Sequence, residues 1–200
     1  MEFRDVVVRR RMVRNYTDAS VDHAAIDRIL DAAVRAPSAG FSQGQRFVVV
    51  TEPDRRHAIA VAAGEPHYVA DGFDPWISRA PVHIVLAVDK GAYLRRYSEP
   101  DKTGDRGRPS VESDWIVPFW WVDAGASMMA LLYAAVDEGL AAGFLGVQAF
   151  DGIRDVTGIP DDVDIVGVCT LGYPAEDRRS GSLARGWNDR ASVVRWEHWG

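Results

Sequence analysis

All but two of the 23 basic residues are arginine, the exceptions being Lys90 and Lys102, and the arginines gather at the two ends of the chain. Arg4, Arg9, Arg10, Arg11 and Arg14 open it, and Arg178, Arg179, Arg185, Arg190 and Arg195 lie close to its end. A guanidinium fork matches the oxygens of a phosphate or carboxylate, and several forks suit a dianion better than one. In a chain of net charge -6, two such clusters meeting in space create a strongly anion-attracting site. Arg-rich coding and a solvated helix face account for the total, but less well for the clustering.

Neutral hydrogen-bonding chemistry is concentrated in APSAGFSQGQRFVVV, Ala36 to Val50. Ser38, Ser42, Gln43 and the loop N–H groups can hold a polyhydroxy or heterocyclic ligand, while Ala39 and Gly40 keep the surface low. Ordinary turn chemistry accounts for this loop equally well. Other signatures are missing: no G-x-G-x-x-G opens a βα unit, no Gly-rich loop ends in Lys-Ser/Thr, and GFSQG at Gly40 to Gly44, although it has the letters of G-x-S-x-G, leads into a strand rather than a helix and so marks no hydrolase nucleophile. The five histidines, at 23, 57, 67, 83 and 198, form no ligand pair of metal-site spacing.

The elements that must position these groups alternate between helix and strand. Glu2 to Val13 reads as a first helix, and Ser20 as the cap of a second that places Ile26, Ile29, Leu30, Ala33 and Val34 on one face and stops at Pro37. Phe47 to Thr51 and Val82 to Val88 read as strands, with a helix starting near Pro53 between them. Asp89 to Asp114 is polar enough for a lid or excursion. Ile116 to Val136 is expected to be a central helix buried on most of its circumference, whose Ala124 to Ala126 lets another helix approach. Pro118 and Asp123 argue against a membrane span there. A strand at Phe144 to Val147, a helix from Asp151 and a strand at Val163 to Leu171 follow. The tail carries Trp187, Trp196 and Trp199, so it is expected to lie on the domain or on a partner subunit.

With 47% apolar residues, 200 residues are expected to form one domain, 1–200. The acidic balance argues against nucleic acid and anionic membranes as partners. Cys169, the single cysteine, sits in an apolar run and reads as a buried hydrophobe, and the amino terminus has no apolar signal core, so a cytoplasmic location is expected.

Four stretches in order, RRMVRNY at Arg10 to Tyr16, APSAGFSQGQRFVVV, AAVDEGLAAGFLGVQAFD and a closing LGYP, resemble the FMN-dependent nitroreductase family across nearly the whole chain. The resemblance implies an α+β fold, a central mostly antiparallel sheet wrapped by helices, in an interlocked homodimer with FMN at the interface. Arg10, Arg11, Met12 and Arg14 would then hold the phosphate and ribityl side. Pro37, Ser38 and Ala39, with Phe41 and Gln43 in the same loop, would reach the flavin from the other subunit. Leu145, Gly146 and Val147 would lie along its reactive edge, with the Gly146 N–H stabilising the reduced ring. Arg185 matches the family's late phosphate-binding residue.

By that resemblance the chain is an oxidoreductase in which NAD(P)H reduces FMN, or a deazaflavin in its place, and the nicotinamide then leaves. A small electron-poor acceptor, a quinone or nitroaromatic, takes the electrons in a ping-pong cycle. The chain departs from the family pattern at Met12, where Ser is usual, and at Phe41 and Gly44–Gln45, which replace a polar group and an aromatic-bearing turn. Phe41 is also similar to an oxygen-dependent branch that fragments flavin to dimethylbenzimidazole, although that branch carries Asp where this chain has Met12. A flavin-sequestering protein without turnover would need the same cradle.

Overall fold

A computed structural model describes residues 1–102, 111–146, 150–178 and 180–199. Its centre is a four-stranded sheet in the order β1-β2-β4-β3, built from β1 (Gln45–Val50), β2 (Val82–Asp89), β3 (Ala141–Leu145) and β4 (Val163–Gly172). Every pairing is antiparallel, with a register shift between Leu86 and Ala87.

The near-continuous apolar run of β2 has a direct cause: the sheet is covered on both faces. Side chains alternate across a strand, so Ile84 and Val85 point to opposite layers. Val82, Ile84, Cys169 and Leu171 pack with Ile29 of α2 (His23–Val34) and with Leu131 and Leu132 of α6 (Phe119–Asp137). Val85, Ala87, Ile165 and Val168 pack on the other side with Ile59 of α3 (Pro53–Ala62) and Ile153 of α7 (Asp151–Thr157). Cys169 is a buried free thiol whose pKa burial pushes up to about 12, in keeping with a small core residue.

Several boundaries differ from the sequence-based expectation. The first helix, α1 (Phe3–Arg9), ends before Val13 because the chain turns extended at Arg10 and the Val13 N–H is given to Ala142 O of β3, 3.0 Å away. Asp22 rather than Ser20 caps α2, its carboxylate accepting the Ala24 N–H at 3.3 Å, and α2 stops at Val34, before Pro37. β3 begins at Ala141 rather than Phe144. The polar excursion starts as a helix, α5 (Lys90–Tyr97), capped by Asp89, whose carboxylate accepts the Ala92 N–H at 3.0 Å. Short 3₁₀ turns follow at Pro100–Lys102 and Glu112–Asp114, and residues 103–110 between them lie outside the described residues. A short helix α4 (Glu65–Ala70) precedes β2, and another, α8 (Arg190–Val193), lies in the tail.

The central helix is less enclosed than its composition suggests. α6 is long and apolar enough to cross a membrane, but it packs one face on α2 and the sheet and leaves Phe119, Trp121 and Val122 exposed. The tail behaves alike. Trp187, Trp196 and Trp199 are 94%, 74% and 86% exposed, so the tail indoles do not pack on this chain's own core.

His83 of β2 is fully buried, and its Nε2 lies 2.7 Å from the Ile77 carbonyl, which can only accept and so fixes the proton on that nitrogen. Burial, opposed by that hydrogen bond, lowers its pKa from 6.5 to about 4. The unfolded chain therefore takes up a proton first as pH falls, so stability present above about pH 6.5 is lost down to about pH 4. The loss is expected to reach about 3 kcal/mol. Urea midpoints at pH 7.5 and 4.5 should fall less in His83→Gln than in the wild type. An equal fall in both would assign the acid sensitivity to other groups.

Candidate functional site

The amino-terminal arm, Arg10 to Tyr16, is laid along the free edge of β3. Met12 pairs with Ala142 in parallel sense, and the Val13 N–H donates to Ala142 O. The buried Tyr16 hydroxyl fixes the arm, donating to Val13 O at 3.0 Å and meeting Thr170 Oγ1 of β4 at 2.7 Å. Burial holds that phenol well above its ordinary pKa, so it remains neutral. Gly143 makes the approach possible, because a Cβ there would lie 2.6 Å from Val13 O.

Arg11 and Arg14 are exposed and Arg10 is half-buried. Arg14 stacks over Trp76, 5.9 Å from the ring centroid. Among the described residues no carboxylate lies within ion-pair distance of the Arg10, Arg11 or Arg14 guanidinium, which leaves these donors free for an anion. A cavity of about 200 Å³ lined by Arg9, Arg11, Val13 and Pro174 opens beside the arm. Another, of about 260 Å³, is bordered by Asp89, Glu112, Asp161, Asp162 and Asp164 against Lys90 and Arg95, a net acidic lining that disfavours an anion.

The same sheet edge carries Leu145 and Gly146. The β3–β4 ladder ends at the Leu145–Val168 pair, so the Gly146 N–H lies beyond its last rung. Gly146 is exposed, and among the described residues a Cβ there would meet nothing closer than Phe144 Cε1 at 3.9 Å. Val147 lies outside the described residues. The root of the tail joins this edge too: Ala175 N–H donates to Asn15 O and Arg14 N–H to Asp177 Oδ2. Arg185 ends a short 3₁₀ turn, Gly181–Arg185, and is exposed.

The loop from Pro37 to Gln43 is elsewhere. It leads into β1, the opposite edge strand, three strand spacings or about 14 Å across the sheet from β3. Ala39–Phe41 forms a 3₁₀ turn, with Gly40, Phe41 and Gln43 all at positive φ and Phe41 74% exposed. Ser38 Oγ accepts the Gln43 N–H at 2.9 Å, Arg96 Nε donates to Gly40 O at 2.8 Å, and Asp123 Oδ2 accepts the Ala39 N–H at 2.8 Å. The predicted site residues therefore fall into two groups on opposite sheet edges. Arg10, Arg11, Met12, Arg14, Leu145 and Gly146 form one, and Pro37, Ser38, Ala39, Phe41 and Gln43 the other.

Asp123, Tyr93 and Arg96, which hold the loop, escape a reading of motifs. The available signal is a single carboxylate inside the apolar run WWVDAGAS, which on sequence counts only as a mark against a membrane span.

The Nitroreductase family profile matches residues 7–173. A protein of Methanothermobacter thermautotrophicus, provisionally named NADH dehydrogenase/NAD(P)H nitroreductase, is 30% identical, the match covering 98% of this chain and 88% of that protein. The FMN reductase (NAD(P)H) of Bacillus subtilis is 32% identical over 83% of this chain and 63% of its own length. Among solved structures, a nitroreductase family protein of Streptococcus pneumoniae superposes with a TM-score of 0.74 at 21% identity, covering 98% of this chain and 100% of that one.

Close contact between the arm and β3 has a measurable consequence. Gly143→Ala drives a methyl group into Val13 O and Thr170 Oγ1 and is expected to cost about 1–3 kcal/mol of unfolding free energy. Gly146→Ala, which meets open space, is the control. Equal urea midpoints for the two variants would show that the arm is not packed as described.

Proposed function

Because this chain belongs to the nitroreductase family, we propose that it is an FMN-dependent oxidoreductase that takes electrons from NAD(P)H and passes them to a small electron-poor acceptor, a quinone or nitroaromatic. The relatives named for NAD(P)H and for FMN support the reductant and the cofactor. The observation that carries the reading is the split of the site: the arginine arm and Gly146 stand on one sheet edge and the polar loop on the other. Two chains related by a twofold axis bring one edge of each together, twice. The working unit is therefore a homodimer with two sites. The exposed face of α6, with open space at Gly125, and the tail indoles supply apolar surface for that contact.

The donor set fits FMN. Arg10, Arg11 and Arg14, free of ion-pair partners among the described residues, would hold the phosphate with Met12 beside them, and Arg185 adds a further guanidinium. Leu145, Gly146 and Val147 would flank the ring, the Gly146 N–H donating where negative charge develops. Pro37, Ser38, Ala39, Phe41 and Gln43 would come from the second chain. When bound, FMN supplies the hydride-accepting and electron-donating chemistry, and the protein binds, orients and polarises it. Among the described residues no histidine or cysteine is placed for proton transfer at this edge, so the chain's contribution is positioning and hydrogen bonding.

The purified protein is expected to be yellow, with about one FMN per chain. Arg14→Ala should weaken FMN by about 10- to 100-fold, the cost of one charged hydrogen bond, while Arg35→Ala at the exposed end of α2 should not. Equal effects at Arg14 and Arg35 would reduce the arm to a charged surface, and a protein that takes up no flavin would sink the reading.

Anaerobic stopped-flow with NADPH or NADH separates turnover from storage. Bleaching of the flavin band within seconds, and recolouring on adding a quinone, is the expected result. A flavin bleached by dithionite but by neither nicotinamide would mark a sequestering protein.

A further inference from the structure

The Pro37 loop has an unusual backbone. Phe41 and Gln43, both bearing a Cβ, stand at φ 59° and 51°, a left-handed region that L side chains disfavour, on either side of Ser42. Such a conformation persists only where its surroundings impose it. Arg96 and Ser38 hold the loop's Gly40 carbonyl and Gln43 N–H, and one buried carboxylate anchors its start. Asp123 lies one turn into α6, is 8% exposed, and its Oδ2 accepts both the Ala39 N–H and the Tyr93 hydroxyl at 2.8 Å. Tyr93 of α5 is fully buried in an aromatic cluster with Trp115 and Trp120, and Gly44 passes so close that a Cβ there would lie 2.4 Å from its ring.

A buried carboxylate is expensive to desolvate, and among the described residues no cation lies within ion-pair distance of Asp123. An apolar residue there would leave the Ala39 N–H and the Tyr93 hydroxyl without their acceptor, so what the carboxylate supplies at this place is the fixing of those two groups, one of them in the loop. Burial, together with its bond to that carboxylate, keeps Tyr93 protonated and donating.

We propose that Asp123, supported by Tyr93, is a positioning residue that presets the Pro37–Gln43 loop for the flavin site of a second chain. This rests on the function proposed above. Asp123 touches no ligand itself; it acts by fixing Ala39, and through it the positive-φ residues that would otherwise relax. Its effect should then appear in the site of the partner, not in the site built on its own arginine arm.

Two measurements test this on the full chain. Hydrogen exchange of the flavin-free protein reads the clamp directly: in Asp123→Asn the 36–44 amides should exchange about 10-fold faster, as a weakened charged hydrogen bond requires, with 82–89 of β2 unchanged. Unchanged exchange at 36–44 would overturn the proposal whatever the cofactor. Mixed dimers then locate the effect. With one chain carrying Asp123→Asn and the other Arg14→Ala, both defects fall in one site, so flavin titration should show one site of wild-type affinity and one strongly weakened. Two equally weakened sites would place the carboxylate's action within its own chain and overturn the proposal. A wild-type protein that binds no flavin would instead overturn the function on which the proposal rests. Should Asp123→Asn not fold, Tyr93→Phe removes one hydroxyl of the same clamp and passes through both measurements with the same criteria.

Discussion

Both faces of the sheet are occupied by the core, and this constraint governs where a ligand can go. Because β2 is buried along its length between the α2–α6 layer and the α3–α7 layer, neither face has room for a planar cofactor. What remains is the rim: the edge beside β3, where the arm adds its own backbone pairing, and the approach to β1, where the polar loop enters. Backbone groups at a sheet edge need partners, and the arm meets β3 at Ala142, whose carbonyl takes the Val13 N–H, while carrying arginines out to solvent. Structure and chemistry thus share the same few residues. Val13 and Tyr16 are buried; Arg11 and Arg14, interleaved with them, are exposed.

Much of the fold was legible because the determining signals are local. The apolar run of β2, the Pro at the start of α3 and the spacing of Ile26, Ile29 and Ala33 all identify their elements without reference to anything distant. Boundaries were misjudged where a distant partner decides them. Helical periodicity continues past Arg9, but a β3 acceptor takes the Val13 N–H and ends it. The polar composition of Asp89 to Asp114 suggests an excursion, although the capping Asp89 and the last-turn arginines of its first part, α5, are ordinary helix chemistry.

For the site, the sequence exposed its donors but not its supports. Arginine clusters and a Ser-Gly-Gln loop advertise hydrogen bonding by composition. Asp123 and Tyr93 lie 30 residues apart, and neither has a pattern that announces the other; only the packing of α5 against the loop makes them a pair. Nor does composition reveal that the two donor groups sit on opposite edges, since that follows from strand order, a property of the whole chain.

The distribution of tryptophan has an optical consequence. Trp115 and Trp120 are enclosed with Tyr93 beside the loop, whereas Trp187, Trp196 and Trp199 stand in solvent. An indole in water emits at longer wavelength than one in an apolar cluster, so these five indoles form two groups of different colour, beside Trp76 and Trp121, which belong to neither. The red population reports on whatever covers the tail, and the blue one on the packing behind the polar loop. Unmodified protein can therefore be followed by its own light, the tail and the cluster behind the polar loop reporting at different wavelengths.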